Sequence, residues 1–136
     1  MPGIVDPNYV FVIMSFNDDV SETYKAFRNA GDLVSGSINI VIERVSENRG
    51  NYIITDKIEN CIRKAGLVLC DVLIRSPNVY YELGYARALG KEVIPTAKHG
   101  TELPFGTHNL RTIFYKKSLE LQDEITKELK THYRIS

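Results

Sequence analysis

Net charge is the first thing this chain lacks. Lysine plus arginine number 17, and aspartate plus glutamate also number 17. A balanced chain has no global pull toward nucleic acid or an anionic membrane, so neither is expected as a partner. Cysteine is scarce as well. Cys61 and Cys70 stand outside any CxxC pair and have no histidine cluster beside them. They read as small buried hydrophobes in a reducing compartment, against a disulfide or a zinc site. His99, His108 and His132 are scattered through a loop and the tail, so no metal is expected, and no cofactor. No apolar run is long enough to span a bilayer. The first residues, MPGIVDPNYV, have no basic stretch leading into a long apolar run. That argues against a signal peptide and makes the cytoplasm the expected location. GxGxxG and GxxxxGK(S/T) are both absent, so neither phosphate-loop signature is available. Internal repeats, low-complexity segments and interdomain linkers are missing too.

What is present suits one soluble globular domain spanning residues 1–136. Hydrophobic residues make up 43% and charged residues 25% of the chain, which is ordinary for a folded domain. YVFVIMSF, residues 9–16, is nearly all apolar and reads as a strand buried on both faces. NDDVSETYKAFRNAG, residues 17–31, carries Val20, Tyr24 and Phe27 at helical spacing. Asn17 or Asp18 can cap its start and Gly31 can end it. INIVIERV, residues 38–45, is β-branched and reads as a second strand. Residues 51–66 place Ile54, Ile58, Cys61, Ile62 and Ala65 on one helical face ending at Gly66. LVLCDVLI is a third strand with Asp71 near its end. Pro77 to Leu89 is a third helix, KEVIPTA a fourth strand and LRTIFY a fifth. SLELQDEITKELKTHY is an amphipathic last helix, able to pack on its own sheet or on a partner.

Strands alternating with helices imply a parallel sheet with right-handed crossovers. Five strands in this length predict an α/β, flavodoxin-like three-layer sandwich with strand order 2-1-3-4-5. Ligands of such sheets bind beyond the carboxyl ends of the strands, near the switch point between strands 1 and 3. Strand 1 runs out at Ser15, Phe16 and Asn17, strand 2 near Glu43 and Arg44, and strand 3 at Asp71. The helix after IRSPN brings Asn78, Tyr81 and Glu82 to the same edge.

Glu82 is the only carboxylate between Asp71 and Glu92. Its plain role is to favour a helix N-terminus through the macrodipole. Its neighbours at helical spacing are Asn78, Val79, Tyr85 and Ala86, unlike a solvated charged face. A carboxylate against an apolar wall can act as a nucleophile or stabilise a developing cation. Asp71 either bonds the turn that follows it or pairs with Glu82, since glycosidic cleavage needs two carboxylates with separate jobs. Ser15, Phe16 and Asn17 form either a helix cap with a core ring or a phosphate nest with a stacking Phe. Arg44, and Arg49 beside the Gly50 turn, are either loop residues or phosphate ligands. Gly84 can permit close approach of helix and sheet.

The stretch SPNVYYELGYARALGKEVI, preceded by AGLVLCDVL, closely resembles the motif of nucleoside 2-deoxyribosyltransferase-like proteins. YVFVIMSF, ITDKIENCIRKAGLVLCDV, LPF and LRTIFY extend the resemblance over the whole chain. Such compact domains are also described as TIR-like. In the deoxyribosyltransferases the glutamate of the E-L-G triplet attacks C1′ of the sugar. The resemblance carries that role to Glu82, and a substrate- or base-handling role to Asp71. It implies cleavage or transfer at the N-glycosidic bond of a nucleoside, nucleotide or NAD-like small molecule. Ser15, Phe16, Asn17, Arg44, Asn78 and Tyr81 are the candidate substrate contacts. A homo-oligomer is also consistent with it. The family's glycine-rich loop after strand 1 is replaced here by SFNDD, and the stretch after Asp71 is VLIRSPN. An NAD nucleosidase of bacterial defence signalling and a non-catalytic nucleotide-binding or self-assembling module therefore stand as alternatives.

Overall fold

The computed structural model describes residues 4–15, 21–44, 51–72, 76–103 and 111–136, and of 51–55 the backbone alone. The elements run β1 (Asp6–Ile13), α1 (Ser21–Leu33), β2 (Val41–Glu43), α2 (Asn51–Lys64), β3 (Ala65–Asp71), α3 (Pro77–Ala88), β4 (Val93–Lys98), β5 (Ile113–Tyr115) and α4 (Ser118–Tyr133). The five strands form one sheet of order β2-β1-β3-β4-β5, and every pairing is parallel. Fold class and strand order are those expected, including the placement of the fifth strand.

Two core layers sandwich the sheet, because successive strand residues point to opposite faces. Val10, Val12 and Met14 face α1 and α4, together with Leu67 and Leu69. Tyr9, Phe11 and Ile13 face α2 and α3, together with Val68 and Cys70. Both sets are buried, which explains why β1 and β3 are apolar without alternation. α4 covers its own sheet: Leu121, Ile125 and Leu129 are fully buried in the α1 layer. Cys70 is buried as expected, whereas Cys61 is half-buried, and both are free thiols. Among the described residues, no helix is long and apolar enough to cross a membrane.

Several boundaries move for physical reasons. Gly31 does not end α1; the helix continues to Leu33. A Cβ on Gly31 would lie 2.8 Å from Cδ1 of Ile42, so glycine there lets the helix settle on β2. Gly66 and Ala65 belong to β3, not to the end of α2. Ala65 keeps its expected burial beside Ile58 and Ile62, but from the strand. β1 pairs Asp6 with Ala65, then slips before Val10 pairs with Leu67. Pro7 lies in that irregular stretch, where its missing N–H costs no ladder bond. β2 shrinks to three residues on the sheet edge. The helix start proposed at Asn17 or Asp18 lies outside the described residues, as do Arg49, Gly50 and His108.

α2 passes into β3 with no intervening loop, and Lys91 secures the junction. Its Nζ donates to the carbonyls of Arg63 at 2.7 Å and Ala65 at 2.8 Å. A cation on the last carbonyls of a helix satisfies acceptors that have no partner within it. Replacing Lys91 with Met should lower the unfolding free energy by about 1–2 kcal/mol, the worth of charge-assisted hydrogen bonds at a partly exposed site. Urea unfolding of both proteins measures this; an unchanged midpoint would mean water replaces the ammonium without cost.

Candidate active site

Asp71 closes β3 at the carboxyl edge and is 1% exposed. Its Oδ1 accepts the Thr96 hydroxyl at 2.8 Å and the Tyr115 hydroxyl at 3.0 Å. The Tyr115 hydroxyl also lies 3.1 Å from Oγ1 of Thr23. One carboxylate thus gathers β4, β5 and α1 around the end of β3. Thr96 is its register partner in the sheet, so the bond follows directly from parallel pairing. Burial pushes the Asp71 carboxyl up, while the two hydroxyls and the nearby Lys98 pull it back; burial prevails. The same burial, together with the negative charge of Asp71, pushes Tyr115 above the usual tyrosine range.

Glu82 lies on the other side of the sheet edge. α3 packs Val79, Leu83 and Ala86 into the layer that holds Cys70, and Glu82 follows the first turn of that helix. It is half-buried and has no hydrogen-bond partner among the described residues. Burial alone raises its pKa from 4.5 to about 7. Cys70 precedes Asp71 in β3 and is near enough to both acids to feel their charge. Its thiol is driven up by burial first, then by Asp71 and Glu82. A thiol held neutral in this way is a poor nucleophile.

The three tyrosines of α3 separate clearly. Tyr81 donates to Oε2 of Glu59 at 2.7 Å, and Tyr85 bonds the Arg63 guanidinium. Residues 81 and 85, one turn apart, meet 59 and 63, one turn apart, so both tyrosines stitch α3 to α2. Tyr80 turns inward, and its hydroxyl is buried with no partner among the described residues. Burial and the neighbouring Cys70 push its pKa up.

Of the remaining candidates, Ser15 and Arg44 are brought together. Nη1 of Arg44 donates to the Ser15 carbonyl at 3.3 Å, and its guanidinium lies over the Tyr24 ring at 4.9 Å. Asn78 is exposed in the first turn of α3. Tyr81 is engaged on the outer seam between helices. Phe16 and Asn17 lie outside the described residues. Thr96, Tyr115 and Thr23 were not anticipated. The available signal was position: Thr96 and Tyr115 are polar residues near the ends of strands that are otherwise apolar. Among the described residues no cluster of three metal-binding side chains exists. Gly84 does not mediate a close approach, since a Cβ there would meet nothing within 4 Å.

Tyr115→Phe removes one of the two donors to Asp71. The carboxyl should then titrate at higher pH than in the parent, as followed by carbon NMR of the Asp71 side chain. Stability at neutral pH should fall by about 1–2 kcal/mol. An unmoved titration would mean that Thr96 alone holds the carboxylate.

No protein-family model matches the chain, and no curated protein matches it. Solved structures do. A 2-deoxyribosyltransferase from Leishmania mexicana is 25% identical, with a TM-score of 0.55 over 74% of this chain and 76% of that one. The fold is that of the nucleoside 2-deoxyribosyltransferase-like superfamily. The deoxyribosyltransferase-like fold is also shared with a CMP N-glycosidase from Clostridium botulinum, 19% identical with a TM-score of 0.61, over 86% of this chain and 97% of that one. A lysine decarboxylase from Francisella novicida contains a similar unit. It is 10% identical with a TM-score of 0.54, over 96% of this chain but only 18% of that one. One architecture thus occurs in enzymes named for different chemistry, so activity has to be argued from the site.

Proposed function

We propose that this domain cleaves or transfers the N-glycosidic bond of a nucleoside or nucleotide, with Glu82 as the group that meets C1′. The observation that carries this reading is Glu82 itself: half-buried at the carboxyl edge, without a hydrogen-bond partner among the described residues, and with a pKa of about 7. A carboxylate whose fold neither solvates nor pairs it has no evident structural task. It gains stabilisation when a cationic, oxocarbenium-like carbon arrives. Support also comes from two structurally similar proteins named for a deoxyribosyl transfer and an N-glycosidase activity.

In this reading the Glu82 carboxylate attacks C1′ as the bond to the base breaks, and the departing base takes a proton from water. The resulting glycosyl ester is then opened by water or by an acceptor base. Asp71, locked by Thr96 and Tyr115, is the second acid of the site and fixes the strand ends that meet the substrate. Chromatographic product analysis tests this with the parent and Glu82→Gln, using nucleosides, their 5′-monophosphates and NAD. Free base from the parent alone supports the reading. Nicotinamide release would reassign the substrate to NAD. Absence of any product from folded parent protein would overturn catalysis in favour of a binding module.

A further inference from the structure

Arg44 and Arg28 converge on a single tyrosine. Their guanidinium carbons lie 4.9 Å and 5.9 Å from the centroid of the Tyr24 ring. Arg28 Nη1 reaches the Tyr24 hydroxyl at 3.5 Å, while Arg44 Nη1 is tied to the Ser15 carbonyl. All three side chains line an open groove of about 380 Å³ between α1 and β2. Two carboxylates also line it, Asp32 and Glu43. The Tyr24 hydroxyl first, and Asp32 to a smaller extent, raise the Arg28 pKa. Glu43 is occupied by the Tyr9 hydroxyl at 2.6 Å. Among the described residues neither arginine forms an ion pair. Arg44 is thus a half-buried cation with a like charge nearby and, among the described residues, no carboxylate of its own.

We infer that this groove is a phosphate subsite: Arg44, assisted by Arg28, holds a phosphoryl group of a nucleotide whose glycosidic bond is presented to Glu82. The inference rests on the N-glycosidic reading and narrows its substrate class to phosphorylated nucleosides. Position supports it. Ser15 follows β1 and Arg44 follows β2, so the Arg44 end of the groove lies at the same carboxyl edge as Asp71, while Gly31, Asp32 and Ile40 line its far end. The ends of β2 and β3 are two strand spacings apart, about 10 Å, a gap that an extended nucleotide with its phosphate can bridge. Preorganisation supports it too. The bond to Ser15 uses one of the five guanidinium N–H groups, and the Tyr24 ring holds the plane. The other donors form a rigid fork of the kind that matches phosphate oxygens. A side chain fixed in advance loses less entropy on binding.

Steady-state kinetics with a nucleoside and its 5′-monophosphate provide the test, using the parent, Arg44→Gln and Arg28→Gln. The parent should prefer the monophosphate. Arg44→Gln should reduce that preference about 100-fold, the scale of a lost charge-assisted contact, and Arg28→Gln by less. Arg28 is exposed, so its variant serves if Arg44→Gln fails to fold. A parent that prefers the nucleoside, or variants that slow both substrates equally, would overturn the subsite while leaving the glycosidic reading intact. If the parent releases no base, calorimetric binding to the parent decides separately. Monophosphate bound more tightly than nucleoside, with the difference lost in Arg44→Gln or Arg28→Gln, keeps the subsite although catalysis has failed. Equal binding, or none, overturns it. Inorganic phosphate and pyrophosphate, titrated alone, distinguish a monoester from a diphosphate ligand.

Discussion

Glu82→Gln should lose base release by about 1,000-fold or more, the scale expected when a reacting group is removed, and yet become more stable than the parent at alkaline pH. The second half follows from linkage. Burial raises the Glu82 pKa from 4.5 to about 7. Between those values the folded protein keeps a proton that the unfolded chain releases. Stability therefore falls as pH rises through that window, and the penalty is complete above about pH 7. Glutamine carries no such penalty. The two proteins should match near pH 4 and diverge as pH rises, with the variant ahead. If Glu82 instead supports the start of α3 through the dipole, the variant would be the weaker protein at pH 8. Urea unfolding at three pH values separates the cases. Activity of the parent should fall on the acid side with an apparent pKa near 7, because the attacking form is the carboxylate. A flat profile from pH 5 to 8 would remove Glu82 from the nucleophilic role.

Gly66→Ala should cost about 3 kcal/mol, toward the top of the range for overpacking a core. A Cβ at this position would lie 2.7 Å from both Cα and the carbonyl oxygen of Pro7. Backbone cannot swing aside as a side-chain tip can. The contact sits where β1 slips against β3, between the pairs Asp6–Ala65 and Val10–Leu67, so relief would have to come from the central strand pair. Gly84→Ala is the matched control. Its Cβ would meet nothing within 4 Å, and α3 should gain up to about 1 kcal/mol in helix propensity. Opposite signs in thermal and urea unfolding are the expected result. A mild Gly66→Ala would show that the slipped register of β1 adapts.

Much of this fold was legible because its signals are local. A buried parallel strand is apolar on both faces, so YVFVIM and LVLC announced themselves within a few residues. The last helix was legible to its ends, residues 118–133, because Leu121, Ile125 and Leu129 recur every turn. Glu82 was visible as a lone carboxylate in an apolar helix. Boundaries set by non-local packing were less visible. Gly31 looked like a stop signal, but it is a flat spot against Ile42. Gly66 looked like a helix end, but it is the strand residue that passes Pro7.

The sequence by itself determined the order of strands and helices, the sheet buried on both faces, and the position of one carboxylate at its carboxyl edge. Periodicity and turn chemistry act over a few residues and need no knowledge of the rest of the chain. Only the tertiary structure decided how Asp71 is held, that Arg44 meets Ser15 and Tyr24, and that Tyr81 and Tyr85 bind α2. These contacts join distant residues; Thr23 and Tyr115 are 92 positions apart. Whether such groups meet depends on strand register and helix placement, which come from packing the whole core and which no local pattern encodes.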